Sequence, residues 1–107
     1  MQHEYRTDSG AMSETFNGRG GNFIIHEIRL HLNSASAAAQ DFTIDLDSSI
    51  GTAYDVNLVT QDLDTLQDFI PADFLNKHRE FLAGDVLGFA WANSESKTWG
   101  LEIIWSE

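Results

Sequence analysis

From Phe23 onward, apolar and polar side chains alternate with period two, the spacing of a strand and not of a helix. In Phe23–Leu32 the residues Ile24, His26, Ile28, Leu30 and Leu32 share one face. Phe23, Ile25, Glu27, Arg29 and His31 share the other. Phe42, Ile44 and Leu46 alternate with Thr43, Asp45 and Asp47, which describes a strand with one wet face. Tyr54, Val56 and Leu58 repeat the pattern beyond the turn Ser48-Ser49-Ile50-Gly51. Residues 33–40 are small and lack an apolar stripe, so they read as a loop. Phe69-Ile70 is a short apolar patch that Pro71 limits to a strand end or edge. Leu87, Phe89 and Trp91 share one face of residues 86–92. Trp99, Leu101, Ile103 and Trp105 share one face of the last stretch. The sequence predicts a hairpin between these two aromatic segments, closed by Asn93-Ser94-Glu95-Ser96, at the centre of the core.

So many aromatic side chains cannot hide on one face of one sheet. The predicted fold is therefore all-β, a two-sheet sandwich of Greek-key or jelly-roll type. At 107 residues the chain fits one domain. Residues 72–82 leave two readings open: a short helix on Phe74, Leu75, His78, Phe81 and Leu82, or the start of a strand at Phe81-Leu82. Residues 1–21 stand apart, with Asn17-Gly18-Arg19-Gly20-Gly21 and only Tyr5, Met12 and Phe16 as large apolar groups. They read as an extended N-terminal arm, with the sandwich domain spanning 22–107.

The formal charge of −11 argues against direct nucleic-acid binding and against anionic lipid. No Lys or Arg lies between Arg29 and Lys77, a stretch that holds many aspartates. Its simplest reading is a solubilising surface; docking onto a basic partner or a divalent cation is the sharper one. There is no cysteine, so disulfides and thiolate metal sites are excluded. No apolar run approaches bilayer length, and Met1-Gln2-His3-Glu4-Tyr5-Arg6 is too polar for a signal peptide, so synthesis in the cytoplasm is expected.

Motifs of catalysis fail one by one. His26-Glu27-Ile28-Arg29-Leu30-His31 has one residue too many for a zinc-protease pair, and on a strand the two histidines point to opposite sides. Asp45-Leu46-Asp47-Ser48-Ser49-Ile50-Gly51 opens like a calcium loop, but its glycine is late and Val56 stands where the closing glutamate belongs. An oxygen site between loops, from Asp45, Asp47, Asp62 or Asp64, stays open. No phosphate loop, nucleotide fingerprint or nucleophile elbow is present. Trp91, Trp99 and Trp105 read as core before sugar platform, with Trp105 placed at a subunit contact. The expectation is a binding and assembly protein, with no enzyme activity, cofactor or resident metal.

The segments Ile28-Arg29-Leu30-His31-Leu32, Phe42-Thr43-Ile44-Asp45-Leu46-Asp47, Gly51-Thr52-Ala53-Tyr54-Asp55-Val56, Gly84-Asp85, Phe89-Ala90-Trp91-Ala92-Asn93 and Trp99-Gly100-Leu101-Glu102 follow one another in order. This pattern resembles small β-sandwich virion proteins of tailed bacteriophages, found among capsid decoration (cement), neck and fibre components. The resemblance implies a structural role on the outside of a capsid, in contact with the major capsid protein or another virion protein. It implies a symmetric oligomer as well, with a trimer favoured. Head fibre, neck or tail component is the nearest alternative, and a carbohydrate- or receptor-binding module is another. Under this reading Tyr5, Phe16 and Arg19 contact the shell from the arm. Phe23, Ile25, Arg29 and His31 form either a subunit contact or a sheet face that the arm covers.

Overall fold

The computed structural model describes residues 1–74 and 78–107. Nine strands are seen among them: β1 (Gln2–Asp8), β2 (Met12–Phe16), β3 (Phe23–Leu32), β4 (Asp41–Asp47), β5 (Val56–Asp62), β6 (Asp68–Phe69), β7 (Arg79–Phe81), β8 (Val86–Trp91) and β9 (Trp99–Ser106). One antiparallel sheet has the order β1-β9-β3-β6, with β7 pairing the other end of β3. The other has the order β2-β8-β4-β5. The two pack face to face as a sandwich. The chain passes from one sheet to the other at every connection except β4 to β5 and β6 to β7. The first strands thus pair with the last, which is the winding of a double-sheet jelly roll.

That winding corrects two expectations. Residues 1–21 are not an arm outside the domain. β1 pairs β9 along its whole length, from Gln2 opposite Trp105 to Asp8 opposite Trp99, and β2 pairs β8. β1 is polar on both sides because it is an edge strand of its sheet, while β2 sends Met12 and Phe16 into the core. Nor do β8 and β9 form a hairpin. Each carries the predicted apolar face, but the two faces meet across the sandwich, not side by side. The loop between them is an arch from sheet to sheet. It lies against the arch between β1 and β2, and the buried Asn93 amide joins the two, reaching Gly10 O and Lys97 O at 2.9 Å and Ser9 O at 3.2 Å.

A bulge in β3 corrects a third. The register against β9 shifts between Ile25 and Glu27, so His26 is the extra residue and the face of the strand changes there. Before the bulge Phe23 and Ile25 point inward; after it Ile28, Leu30 and Leu32 do. Phe23 and Ile25 are therefore core residues, 1% and 0% exposed, and not subunit contacts. Phe16 is also interior. It meets Phe23 edge-on at 5.6 Å and Trp105 at 5.3 Å. Trp91, Trp99 and Trp105 are all buried, as the alternation predicts, so Trp105 is no surface contact within this chain.

Elsewhere the sequence pattern is displaced. Thr52–Tyr54 forms a 3-10 turn, and Val59 with Leu63, not Tyr54 and Val56, points into the core. A second bulge, between Ile44 and Asp45, accompanies that change. Of residues 72–82, Ala72–Phe74 is a 3-10 turn that buries Phe74, and Arg79–Phe81 is β7. Leu75, which the helical reading also used, lies with Asn76 and Lys77 outside the described residues.

The turn before β8 rests on one buried carboxylate. Asp85 accepts hydrogen bonds from Ser49 N–H at 2.8 Å and Leu82 N–H at 2.9 Å. Gly84 takes φ 88 there, and a Cβ would sit 3.0 Å from the Ser49 side chain. Burial opposes the Asp85 charge, but the two amide donors outweigh it and hold the pKa below its ordinary value of 3.8. Stability from this group is therefore present above pH 3.8 and is lost as pH falls through the lower folded-state value. Asp85→Asn is expected to cost roughly 1–3 kcal/mol at neutral pH, since one of the two accepting oxygens becomes an NH2 donor that faces a backbone N–H. Urea titrations of both proteins at pH 7 and pH 3 check this: the gap between them should narrow at the lower pH.

Candidate functional site

The outer face of the five-stranded sheet carries a set of polar and aromatic side chains. The register of β1, β9 and β3 sets them out in rows. Tyr5, Glu102 and Arg29 lie side by side in one row. Thr7, Gly100 and His31 form the next, and His31 is opposite Asp68 of β6. His3, Ile104 and Glu27 make the row on the other side.

Glu102 is the centre of this face. It binds His3 Nδ1 at 2.8 Å through Oε2 and Arg29 Nη1 at 3.3 Å through Oε1. Arg29 is also bonded to Glu27. The hydrogen bond from His3 is the main cause that holds the Glu102 carboxyl below its usual range, with Tyr5 and the Arg29 charge adding to it against the effect of burial. The Tyr5 hydroxyl is pushed up, first by its own hydrogen bond to Glu102. The Tyr5 ring stays 69% exposed and stacks on His3 with ring centres 6.1 Å apart. A carboxylate kept ionised suits an acceptor role, not proton donation. The row is thus a set of fixed donors, acceptors and a ring face.

Gly100 makes a gap in the second row. A Cβ there would meet nothing within 4 Å, so the missing side chain opens a groove of about 480 Å³. Tyr5, Arg29, His31, Asp68 and Ile70 stand around it. His31 Nδ1 and Asp68 Oδ1 pair across one wall at 2.5 Å. The groove therefore offers an apolar floor with charged and hydrogen-bonding walls, within the size range of ligand pockets.

Of the residues predicted as contacts, Tyr5, Arg29 and His31 come together here. Arg19 lies elsewhere, over the Trp105 ring at 5.7 Å and 3.6 Å from Glu107. Glu102, Gly100, His3 and Asp68 belong to the site and were not singled out by the sequence. The available signal was Gly100, the one residue without a side chain between Trp99 and Leu101 in an otherwise well-filled strand.

A second cluster lies at the β3 bulge. His26 Nδ1 is 2.7 Å from His78 Nδ1, and His26 Nε2 is 2.7 Å from Ser106 Oγ. Burial first, and the His78 charge second, lower the His26 pKa. Among the described residues no three His, Asp or Glu side chains gather as a metal-ligand set. Asp45 is bonded to the Asn57 amide at 2.8 Å, and Asp62 accepts the Asp64 N–H at 2.9 Å. Asp45 of β4 and Asp62 of β5 are thus engaged with their own neighbours. The chain matches no protein-family model, and no curated protein matches it.

Proposed function

We propose that this protein is a non-catalytic structural module of a phage virion, a decoration protein that docks on the outer capsid surface and stabilises the shell. The observation that carries the reading is the outer face of the five-stranded sheet. Its row Tyr5, Glu102 and Arg29 lies on adjacent paired strands, with Glu102 bonded to Arg29 and His3 and Tyr5 stacked on His3. Side chains fixed before contact lose little freedom on binding, which favours tight docking to a rigid surface. A double-sheet jelly roll is an architecture that viral capsid domains use, though fold alone does not assign a role. The charge of −11 fits a protein crowded in many copies on an exterior and kept away from packaged DNA.

The Gly100 groove favours a second reading, a saccharide- or receptor-binding module. The buried tryptophans give it no platform, but the exposed Tyr5 ring does, with hydrogen-bonding walls beside it.

Co-sedimentation with expanded empty capsids of the source phage tests the first reading. The wild-type protein should bind to saturation. Gly100→Val should weaken that binding by filling the groove. It should leave the fold intact and raise its stability by about 0.5–1 kcal/mol, because glycine within a strand is unfavourable. A protein that ignores capsids but binds a glycan array, with Gly100→Val losing the signal, would replace the first reading with the second. Binding unchanged by Gly100→Val would remove this face from both.

A further inference from the structure

β1 is the outermost strand of its sheet, bonded to β9 on one side and to no strand on the other among the described residues. An open edge of seven residues is a template for another strand unless its side chains prevent it. Its sequence is Gln2-His3-Glu4-Tyr5-Arg6-Thr7-Asp8. Read against its own reverse, it complements itself about Tyr5. Gln2 falls opposite Asp8, His3 opposite Thr7, Glu4 opposite Arg6, and Tyr5 opposite Tyr5.

We infer that β1 is the dimerisation edge of this protein, and that its occupant is β1 of a second copy, antiparallel, with a two-fold axis through Tyr5. This inference does not depend on the virion reading.

Charge chooses the partner and the register. Antiparallel pairs must share a face, so the register can change only in steps of two residues. One step in one direction sets Glu4 opposite Glu4. One step in the other sets Arg6 opposite Arg6 and Glu4 opposite Asp8. Each places like charges directly across, which is unfavourable. Only the Tyr5-centred register pairs every charged residue with an opposite charge or a neutral donor. The other sheet's edges lack this property. β2 is centred on Glu14, which would oppose itself. β5, centred on Val59, brings Val56 against Asp62 and makes no charge pair.

The surroundings fit. Arg6 now bridges Glu4 at 3.1 Å and Glu14 of β2 at 3.5 Å. In the dimer it would stand between its own Glu14 and Glu4 of the partner subunit. The pairing is isologous, so it closes at two copies and does not grow into a fibre. It also makes the outer face continuous. The two Gly100 grooves would lie on the same side of one extended sheet, with the two Tyr5 rings at its centre.

The chain contains no cysteine, so one introduced thiol gives a clean test. Directly opposed residues in antiparallel strands have Cα atoms about 4.5–5.5 Å apart, inside the roughly 4.4–6.8 Å that a disulfide spans. Tyr5→Cys in the full chain should form a covalent dimer under mild oxidation. Thr7→Cys should not, because the two copies of position 7 would lie about 13 Å apart along the strands. By light scattering at tens of micromolar, wild type should be a dimer. Glu4→Arg and Arg6→Glu should each be monomeric, and the double exchange should recover the dimer. Circular dichroism on every variant separates loss of pairing from loss of fold. A monomeric wild type would overturn the inference. So would Tyr5→Cys cross-linking no faster than Thr7→Cys, or a double exchange no better than the folded single variants.

Discussion

Trp99→Ala is expected to lower the unfolding free energy by about 3–5 kcal/mol, enough to leave a small domain largely unfolded at room temperature. Trp99 lies at the start of β9, 2% exposed, and its indole N–H donates to Gly10 O at 2.9 Å. Its loss opens a cavity in the core and removes one of the two donors to Gly10 O in the arch between β1 and β2. Trp99→Phe separates these effects: it keeps most of the volume and loses the hydrogen bond. Trp91 Nε1 and Trp105 Nε1 have no such acceptor among the described residues. Phe at 91 or 105 should therefore cost less than Phe at 99. Urea denaturation followed by circular dichroism measures all of these. If Trp99→Ala remained as stable as wild type, the tryptophans would belong to a surface platform after all.

The second large effect is expected at Asn93. Its amide nitrogen donates toward carbonyls of both arches, and its Oδ1 accepts the Lys97 N–H at 2.9 Å. Its backbone takes φ 49, which asparagine tolerates better than most residues. Asn93→Ala loses the hydrogen bonds that join the two arches and strains the backbone. The expected cost is about 3 kcal/mol. Asn93→Gly relieves the strain but restores no hydrogen bond, so it should recover about 1 kcal/mol of that loss. Equal stability of wild type and Asn93→Ala would mean that the two arches are not joined through this side chain.

Much of the sandwich was legible because alternation marks which side chains of a strand face inward. Leu87, Phe89 and Trp91, and Trp99, Leu101, Ile103 and Trp105, point inward as the pattern says. Alternation says nothing about which sheet a strand joins. The same pattern serves a hairpin or an arch, so β8 and β9 read as neighbours although they face each other across the core. Nor does it show a bulge. The extra residue His26 reverses the faces of Phe23 and Ile25, which read from Ile28 onward as outward. β1 was hidden for a different reason. An edge strand with most of its side chains in water has no apolar stripe to betray it. Met12 and Phe16, four residues apart on one strand face, were the visible trace of β2.

The outer-face site follows the same logic. Arg29 and His31 could be placed together from the spacing along β3. Tyr5 and Glu102 join them only because the first strand pairs with the last, a contact between ends of the chain that local pattern does not encode.

The proposed docking face therefore depends on β1 lying beside β9, and the core at that edge on β2 lying beside β8. Amide hydrogen exchange on the free protein, read residue by residue, tests this most directly. Amides in residues 2–8 bonded to β9, and amides in residues 12–16 bonded to β8, should exchange far more slowly than an unstructured chain. Exchange across residues 2–16 at the rate of a free peptide, with β3 and β9 still protected, would return this segment to a loose arm and dissolve the face built on Tyr5.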